Sequence, residues 1–355
     1  MTIGSVKIGK RSVGGPGDPP FIVAELSANH NGSLDAALAI MDACAKAGAD
    51  AIKLQTYTAD TITIDCDRPE FHIDGGPWAG RSLHELYDEA HTPWDWHAAL
   101  FEKGRSLGIE VFSSPFDHSA VDFLEQFDPP AYKIASFEAI DIPLIEKAAS
   151  TGKPLVISSG MATHEELNDA VAAARRAGSG EMILLHCVSA YPAPVEEVNL
   201  TTIPAMQARY GVPIGLSDHT IGGTVAVAAV ALGAAMVEKH VTMRRADGGP
   251  DSHFSAEPEE LAKLVEDCRT AALALGSPDV ERTAAETASV QFRRSLYVVE
   301  DIAAGEVFTE RNVRSIRPGY GLPPKELPNV LGQRATVDLS RGTALNSGHI
   351  AKVRD

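Results

Sequence analysis

Two stretches decide the reading of this chain: Pro213-Ile214-Gly215-Leu216-Ser217-Asp218-His219-Thr220 and, one helix-length later, Ala235-Met236-Val237-Glu238-Lys239-His240. Each is a short apolar run that ends in polar residues able to hold a metal. The segment between them, Thr224 to Gly233, is small and apolar and long enough for a crossover helix. Two parallel strands joined in that way lie in one sheet with their carboxyl ends at the same edge, which brings His219 and His240 together. A single histidine is more often structural. Two at equivalent strand ends read as a metal pair.

The same alternation continues upstream. Strand runs at Phe21–Glu25, Ala51–Gln55, Glu110–Pro115, Ala131–Ser136, Pro154–Gly160 and Met182–Ser189 alternate with segments of helical spacing, and Glu257–Leu275 makes the last helix. Eight strand–helix units in about 255 residues match the count and length of a (β/α)8 TIM barrel, an α/β fold. The rival is an open doubly wound sheet, but no G-x-G-x-x-G follows the first strand. What ends the strands is decisive. In chain order these residues are Glu25; Lys53 and Gln55; Ser113 and Ser114; Lys133 and Ser136; Ser158 and Ser159; Ser189 and Tyr191; Ser217, Asp218 and His219; and His240. A barrel gathers all of them at one mouth, where such enzymes place their chemistry.

Outside the barrel, expected over residues 21–276, lie an N-terminal extension at 1–20 rich in Gly and Pro, a polar linker at 277–294, and a small C-terminal domain at 295–355. That domain is expected to hold strands at Leu296–Val299, at Arg314–Pro318 and within Leu331–Ser347, around a thin core. Asp60–His91 reads as a long polar insert carrying Trp78 and Gly-rich turns. A net charge of −17 repels nucleic acids and anionic membranes, so an anionic substrate must be met by a few local cations. Scattered Cys44, Cys66, Cys187 and Cys268, without a C-x-x-C pair, indicate reduced, cytoplasmic usage.

Lys53 and Lys133 sit inside strands, where an ammonium is costly unless an anion meets it. With Ser136, Ser158, Ser159 and Gly160 they form a candidate cradle for phosphate or carboxylate. The alternatives are pairing with a neighbouring carboxylate, or Lys133 as a Schiff-base nucleophile. His219 and His240 suit a divalent ion that keeps open positions and polarises a carbonyl. Asp218 and Asp251 are candidates to bind its waters or act as bases. Glu25 is expected to have a raised pKa and serve as general acid or base, or else to pair with Lys53.

Ala24-Glu25-Leu-Ser-Ala-Asn-His-Asn-Gly32, Gly48-Ala-Asp-Ala-Ile-Lys-Leu-Gln55, Tyr132-Lys-Ile-Ala-Ser136, Gly215-Leu-Ser-Asp-His-Thr220, Glu238-Lys-His240 and Ser315-Ile-Arg-Pro-Gly319 resemble the sialic acid synthase family, over about Phe21 to Ile350. The resemblance implies a barrel followed by an antifreeze-like (SAF) domain. It also implies condensation of phosphoenolpyruvate with the open-chain aldehyde of an N-acetylated amino sugar, giving a nine-carbon 2-keto acid and phosphate. Lys53, Lys133, Ser136, Ser158 and Ser217, with Ser114 and Ser189, would then hold phosphoenolpyruvate. His219 and His240 would hold Mn2+ or Mg2+, with Co2+ as a further choice, and Glu25 and Asp251 would manage protons. Gln55, Tyr191, Asp251 and Arg317 would meet the sugar, with Arg317 and the Tyr320 loop reaching a partner's barrel in a domain-swapped homodimer. Ser189, where the family's N-acetylneuraminate-forming members tend to have asparagine, resembles the branch that takes a 2,4-diacetamido-2,4,6-trideoxyhexose. So do Gly75-Gly-Pro-Trp-x-Gly80, Thr92-Pro-Trp-x-Trp-His97 and the Asp247–Ser255 stretch. Trp78 or Tyr57 would touch that sugar. The alternatives are an N-acetylneuraminate- or legionaminate-forming activity, a Schiff-base aldolase, or a non-catalytic sugar- or ice-binding protein.

Overall fold

Each apolar run of the alternating pattern is a strand, and together they close on themselves. The computed structural model describes residues 4–76, 78–276 and 281–351, and the chain divides into two compact units, residues 1–276 and 277–355. Val6–Ile8 (β1) and Arg11–Val13 (β2) form an antiparallel hairpin. Phe21–Glu25 (β3), Ala51–Thr56 (β4), Glu110–Pro115 (β5), Tyr132–Ile134 (β6), Leu155–Ser158 (β7), Met182–Cys187 (β8), Ile214–Asp218 (β9) and Met236–His240 (β10) follow. They form a closed parallel barrel in the order β10-β3-β4-β5-β6-β7-β8-β9. The pairings His240↔Glu25, Glu25↔Lys53 and Gln55↔Ser114 bring the polar strand ends to one mouth.

Side chains alternate across each strand, so the barrel has two cores. Outward residues such as Ile22, Ile52, Leu184 and Leu216 meet the apolar faces of the surrounding helices. Inward residues such as Phe21, Val23, Phe112, Val156 and Met236 fill the lower barrel. Helices Leu34–Ala47 and His97–Leu107 end at Gly48 and Gly108, both left-handed, and His164–Arg176 opens on the capping box Thr163/Glu166.

The extension at 1–20 has a task its composition conceals. Val6, Ile8 and Val13 are buried against Phe21, Val23, Phe112 and Met236 and close the barrel floor. Lys7 N donates to Glu181 Oε2 (3.1 Å), and Arg11 pairs with Asp50. Strands of three residues between glycines and prolines leave too short a pattern to read. The insert after β4 is likewise ordered: a helical turn at Ala59–Ile62 precedes the helix Leu83–Ala90, whose capping box is Ser82/Glu85.

In the second unit Ser295–Val298 (β11) pairs antiparallel with Val313–Ile316 (β12) around Leu296, Val298, Phe308 and Leu345. The strand expected within Leu331–Ser347 is corrected. Among the described residues that segment makes only isolated bridges, such as Ile302↔Leu339 and Tyr297↔Ala344, because its apolar residues are spaced by turns. Within the expected linker, residues 277–280 lie outside the described ones, and Ala284–Thr287 is a capped helical turn. Among the described residues no helix is long and apolar enough to cross a membrane.

Candidate active site

At the carboxyl end of the barrel a cavity of about 530 Å³ is lined by Lys53, Gln55, Lys133, Ser136, Ser158, Tyr191, Ser217, His219, His240 and Asp251, all singled out by the sequence. Its floor is a buried charge cluster. Lys53 Nζ lies 2.7 Å from Glu25 Oε2 and 2.8 Å from Glu238 Oε1, and Lys133 Nζ donates to the same Glu238 oxygen at 3.2 Å. Ser217 Oγ donates to it as well, at 3.3 Å. Buried charges persist only when paired, and here the carboxylates neutralise two lysines that an incoming anion can also claim. Burial draws the Lys53 ammonium down to about 7 against the pull of Glu238, and Lys133 adds to the depression. Against its own burial, Lys133 and Lys53 hold the Glu238 carboxyl below the usual range.

Serine hydroxyls complete the floor. Ser158 Oγ is buried without a partner and lines the cavity, a donor free for a ligand. Ser189 Oγ donates to Ser136 Oγ at 2.9 Å. Gly160 is required beside them: its φ is +48°, and a Cβ there would stand 2.4 Å from Ser136 Cβ. Ser159 is buried, its amide bonded to Leu185 O, and does not line the cavity. Ser114, in register with Gln55, is fully buried with its Oγ unpartnered, and it is not among the residues that line the cavity.

His219 and His240 meet with ring centroids 5.4 Å apart. His219 Nδ1 lies 2.9 Å from Val188 O, which fixes the tautomer and leaves the other nitrogen free. His240 Nδ1 is buried with no protein partner. Burial, His219 and Lys53 push the His240 pKa well down, so its imidazole is neutral, as a ligand must be. The orphaned nitrogen of a neutral His240, beside the unbonded nitrogen of His219 on the adjacent strand, fits a divalent ion. Among the described residues no third His, Cys, Asp or Glu joins them, so such an ion would keep open positions.

Asp218, expected near the ion, is corrected. It faces the other side of β9, where Oδ2 accepts from Lys239 Nζ at 2.8 Å and Oδ1 from Thr220 N and Oγ1. Asp218 and Lys239 are register partners. Their fully buried pair therefore ties together the strand ends that carry the two histidines.

The upper cavity holds the sugar candidates. Gln55 Nε2 donates to Glu25 Oε1 and Ser27 Oγ, both at 3.3 Å, and Ser27 Oγ donates to Asp251. Burial raises the Asp251 pKa. The Tyr191 ring stands 4.4 Å from His219 and 5.8 Å from Trp78, whose Nε1 donates to Pro250 O at 2.9 Å. Arg317 belongs to the second unit, exposed just past β12.

Sequence reasoning missed Glu238 as the central carboxylate, since strand alternation alone does not say that it faces inward between two lysines. It also missed Glu138, in the turn after β6. That carboxyl lines the cavity with Oε2 unpartnered, and burial raises it to about 7. Cys187, read as part of an apolar run, lines the cavity with Sγ 4.0 Å from His219 Nδ1.

The chain is similar to known proteins. A family described as the NeuB family matches residues 40–279, and the SAF domain matches residues 293–351. The chain is 45% identical to the pseudaminic acid synthase of Helicobacter pylori over 336 residues, covering 94% of this chain and 98% of that one. It is 35% identical to the N,N'-diacetyllegionaminic acid synthase of Legionella pneumophila, covering 93% and 94%. The crystal structure of N-acetylneuraminic acid (sialic acid) synthetase from Leptospira borgpetersenii matches with a TM-score of 0.72 at 34% identity, covering 81% of this chain and 95% of that one.

Proposed function

The chain belongs to the NeuB family, and from that footing we propose that it forms pseudaminic acid by condensing phosphoenolpyruvate with 2,4-diacetamido-2,4,6-trideoxy-L-altrose and water, releasing phosphate. The observation that carries this reading is the convergence of Lys53 and Lys133 on the cavity floor beneath the histidine pair. An anionic co-substrate and a carbonyl electrophile need those two arrangements side by side. The pseudaminic relative, at 45%, stands well above the legionaminic one at 35%, which favours this sugar.

In the reaction C3 of phosphoenolpyruvate bonds to the aldehyde carbon, and the aldehyde oxygen takes a proton. Water adds to C2 and gives up both its protons, one balancing that taken by the aldehyde oxygen and one passing to the leaving phosphate, as the bond from C2 to the bridging oxygen breaks and C2 becomes the ketone. Lys53, Lys133, Ser136, Ser158 and Ser217 bind the phosphate and carboxylate, with Ser189 orienting Ser136. Ser114, buried beside Gln55 with a free hydroxyl, is a further candidate donor to the same anion. Asp251, inclined by burial to hold its proton, is suited to donate to the aldehyde oxygen, and Glu25, beside Gln55, is suited to accept one. His219 and His240 would hold Mn2+ or Mg2+, which supplies a Lewis acid for the aldehyde.

A domain-swapped homodimer in which Arg317 and the Tyr320 loop complete a partner's site is part of the reading. Two separate surfaces support it. Phe137, Ile140, Met161, Val195 and Ile221 are exposed on the loops after β6 to β9, and Phe292 and Tyr320 are exposed in the second unit. The free state of Cys44, Cys66, Cys187 and Cys268 supports a cytoplasmic location.

The test is phosphate release from phosphoenolpyruvate with a panel of amino sugars. Phosphate and 2-keto acid should appear in equal amounts, stop on chelation and return with Mn2+. Trapping of an imine on Lys133 by borohydride would replace this reading with a Schiff-base aldolase.

A further inference from the structure

The cavity has two unlike halves. The floor and the histidine side are polar and charged. Among the described residues between Ile62 and Phe116, by contrast, every one that lines the cavity is aliphatic or aromatic. Ile62, Ile73, Leu83 and Leu86 come from the insert after β4, and Phe116 from the end of β5. Tyr57 backs them, its ring edge-on to Tyr87 at 5.8 Å and to Phe116 at 4.9 Å. The indole N–H of Trp78 is already committed to Pro250 O. Among the described residues, charges are absent from this stretch of wall, and hydrogen-bonding groups are few.

We infer that the insert at residues 60–91, with Tyr57 and Phe116, is the selectivity wall of the cavity. Its occupant is the far end of an amino sugar that carries methyl groups where a common hexose carries hydroxyls. The inference rests on the proposed condensation, which puts phosphoenolpyruvate over the lysines and the aldehyde at the histidines. The remaining carbons of the open-chain sugar then extend past Gln55, Tyr191 and Asp251 toward this apolar surface. There a C6 methyl and an acetamido methyl bury carbon against carbon. A C6 hydroxyl would leave water and find no partner. Because Trp78 is bonded to the carbonyl of Pro250, the wall is also tied to Asp251, the next residue. Sugar seated on the wall therefore bears on the loop that carries a proton-handling carboxyl.

The experiment compares kcat/KM for the diacetamido-trideoxyhexose and for N-acetylmannosamine in the wild type and in Ile73→Asn and Leu83→Asn, at half-buried wall positions. The wild type should prefer the deoxy sugar by about 100-fold, and each asparagine should shrink that ratio about tenfold or more. The KM for phosphoenolpyruvate should not move. Should an asparagine variant fail to fold, Leu83→Ala gives the same reading, with a severalfold rise in sugar KM and little change in kcat. An unchanged ratio in folded variants, or an unchanged sugar KM in Leu83→Ala, overturns the wall while leaving the condensation intact. Absence of phosphate release with either sugar in the wild type overturns the condensation, and the wall with it.

Discussion

Glu138 is a carboxyl whose pKa is raised chiefly by burial, with Asp141 adding to it against the pull of Lys133 and Lys53, and one of its oxygens is unpaired. Its pKa rises from 4.5 to about 7 on folding, so the native state binds the extra proton between those values. Stability is therefore lost as pH rises through that window, because charge must then be buried. Glu138→Gln should remove the penalty. It should stabilise the protein by about 2 kcal/mol more at pH 8 than at pH 5, read from urea unfolding at the two pH values. Equal effects at both would show that the carboxyl is not titrating. Nothing in the local sequence marks Glu138, since a polar residue after a strand is ordinary. Lys53 and Lys133 were legible because a lysine inside an apolar run is not.

At the scale of elements, the site depends on how β9 and β10 are joined. Asp218 and Lys239 are both buried and face away from the histidines that follow them. Asp218→Ala should cost about 3–5 kcal/mol by stranding the Lys239 ammonium, and Asp218→Leu with Lys239→Met should recover most of it. The single variant should also bind Mn2+ more weakly by tenfold or more, measured by calorimetric titration, since the strand ends lose their tie. Unchanged affinity would make the pair purely structural. The barrel strands were readable from apolar runs with polar ends. The hairpin Val6–Val13 was not, because three-residue strands carry too little pattern. Ile8→Ala in that floor should cost about 2–5 kcal/mol and lower the melting temperature by several degrees, while leaving both substrate KM values alone.

For the whole molecule, the two units pose a question of assembly. Lys133→Ala removes a floor cation from one unit, and Arg317→Ala removes an exposed cation from the other. If a site is built from one protomer's barrel and its partner's small domain, unfolding and refolding the two inactive variants together should restore up to about a quarter of wild-type activity. A site built within one chain would show no recovery. The sequence by itself determined the barrel, its mouth and most of the residues there, because strand ends must converge once parallel strands close. Only the tertiary structure decided which face of each strand turns inward. That put Glu238 between the lysines, sent Asp218 away from the histidines, buried the N-terminal hairpin in the floor, and turned an insert of polar composition into an apolar wall. Contacts between residues more than a hundred positions apart, such as Lys133 with Glu238, leave no trace in local pattern.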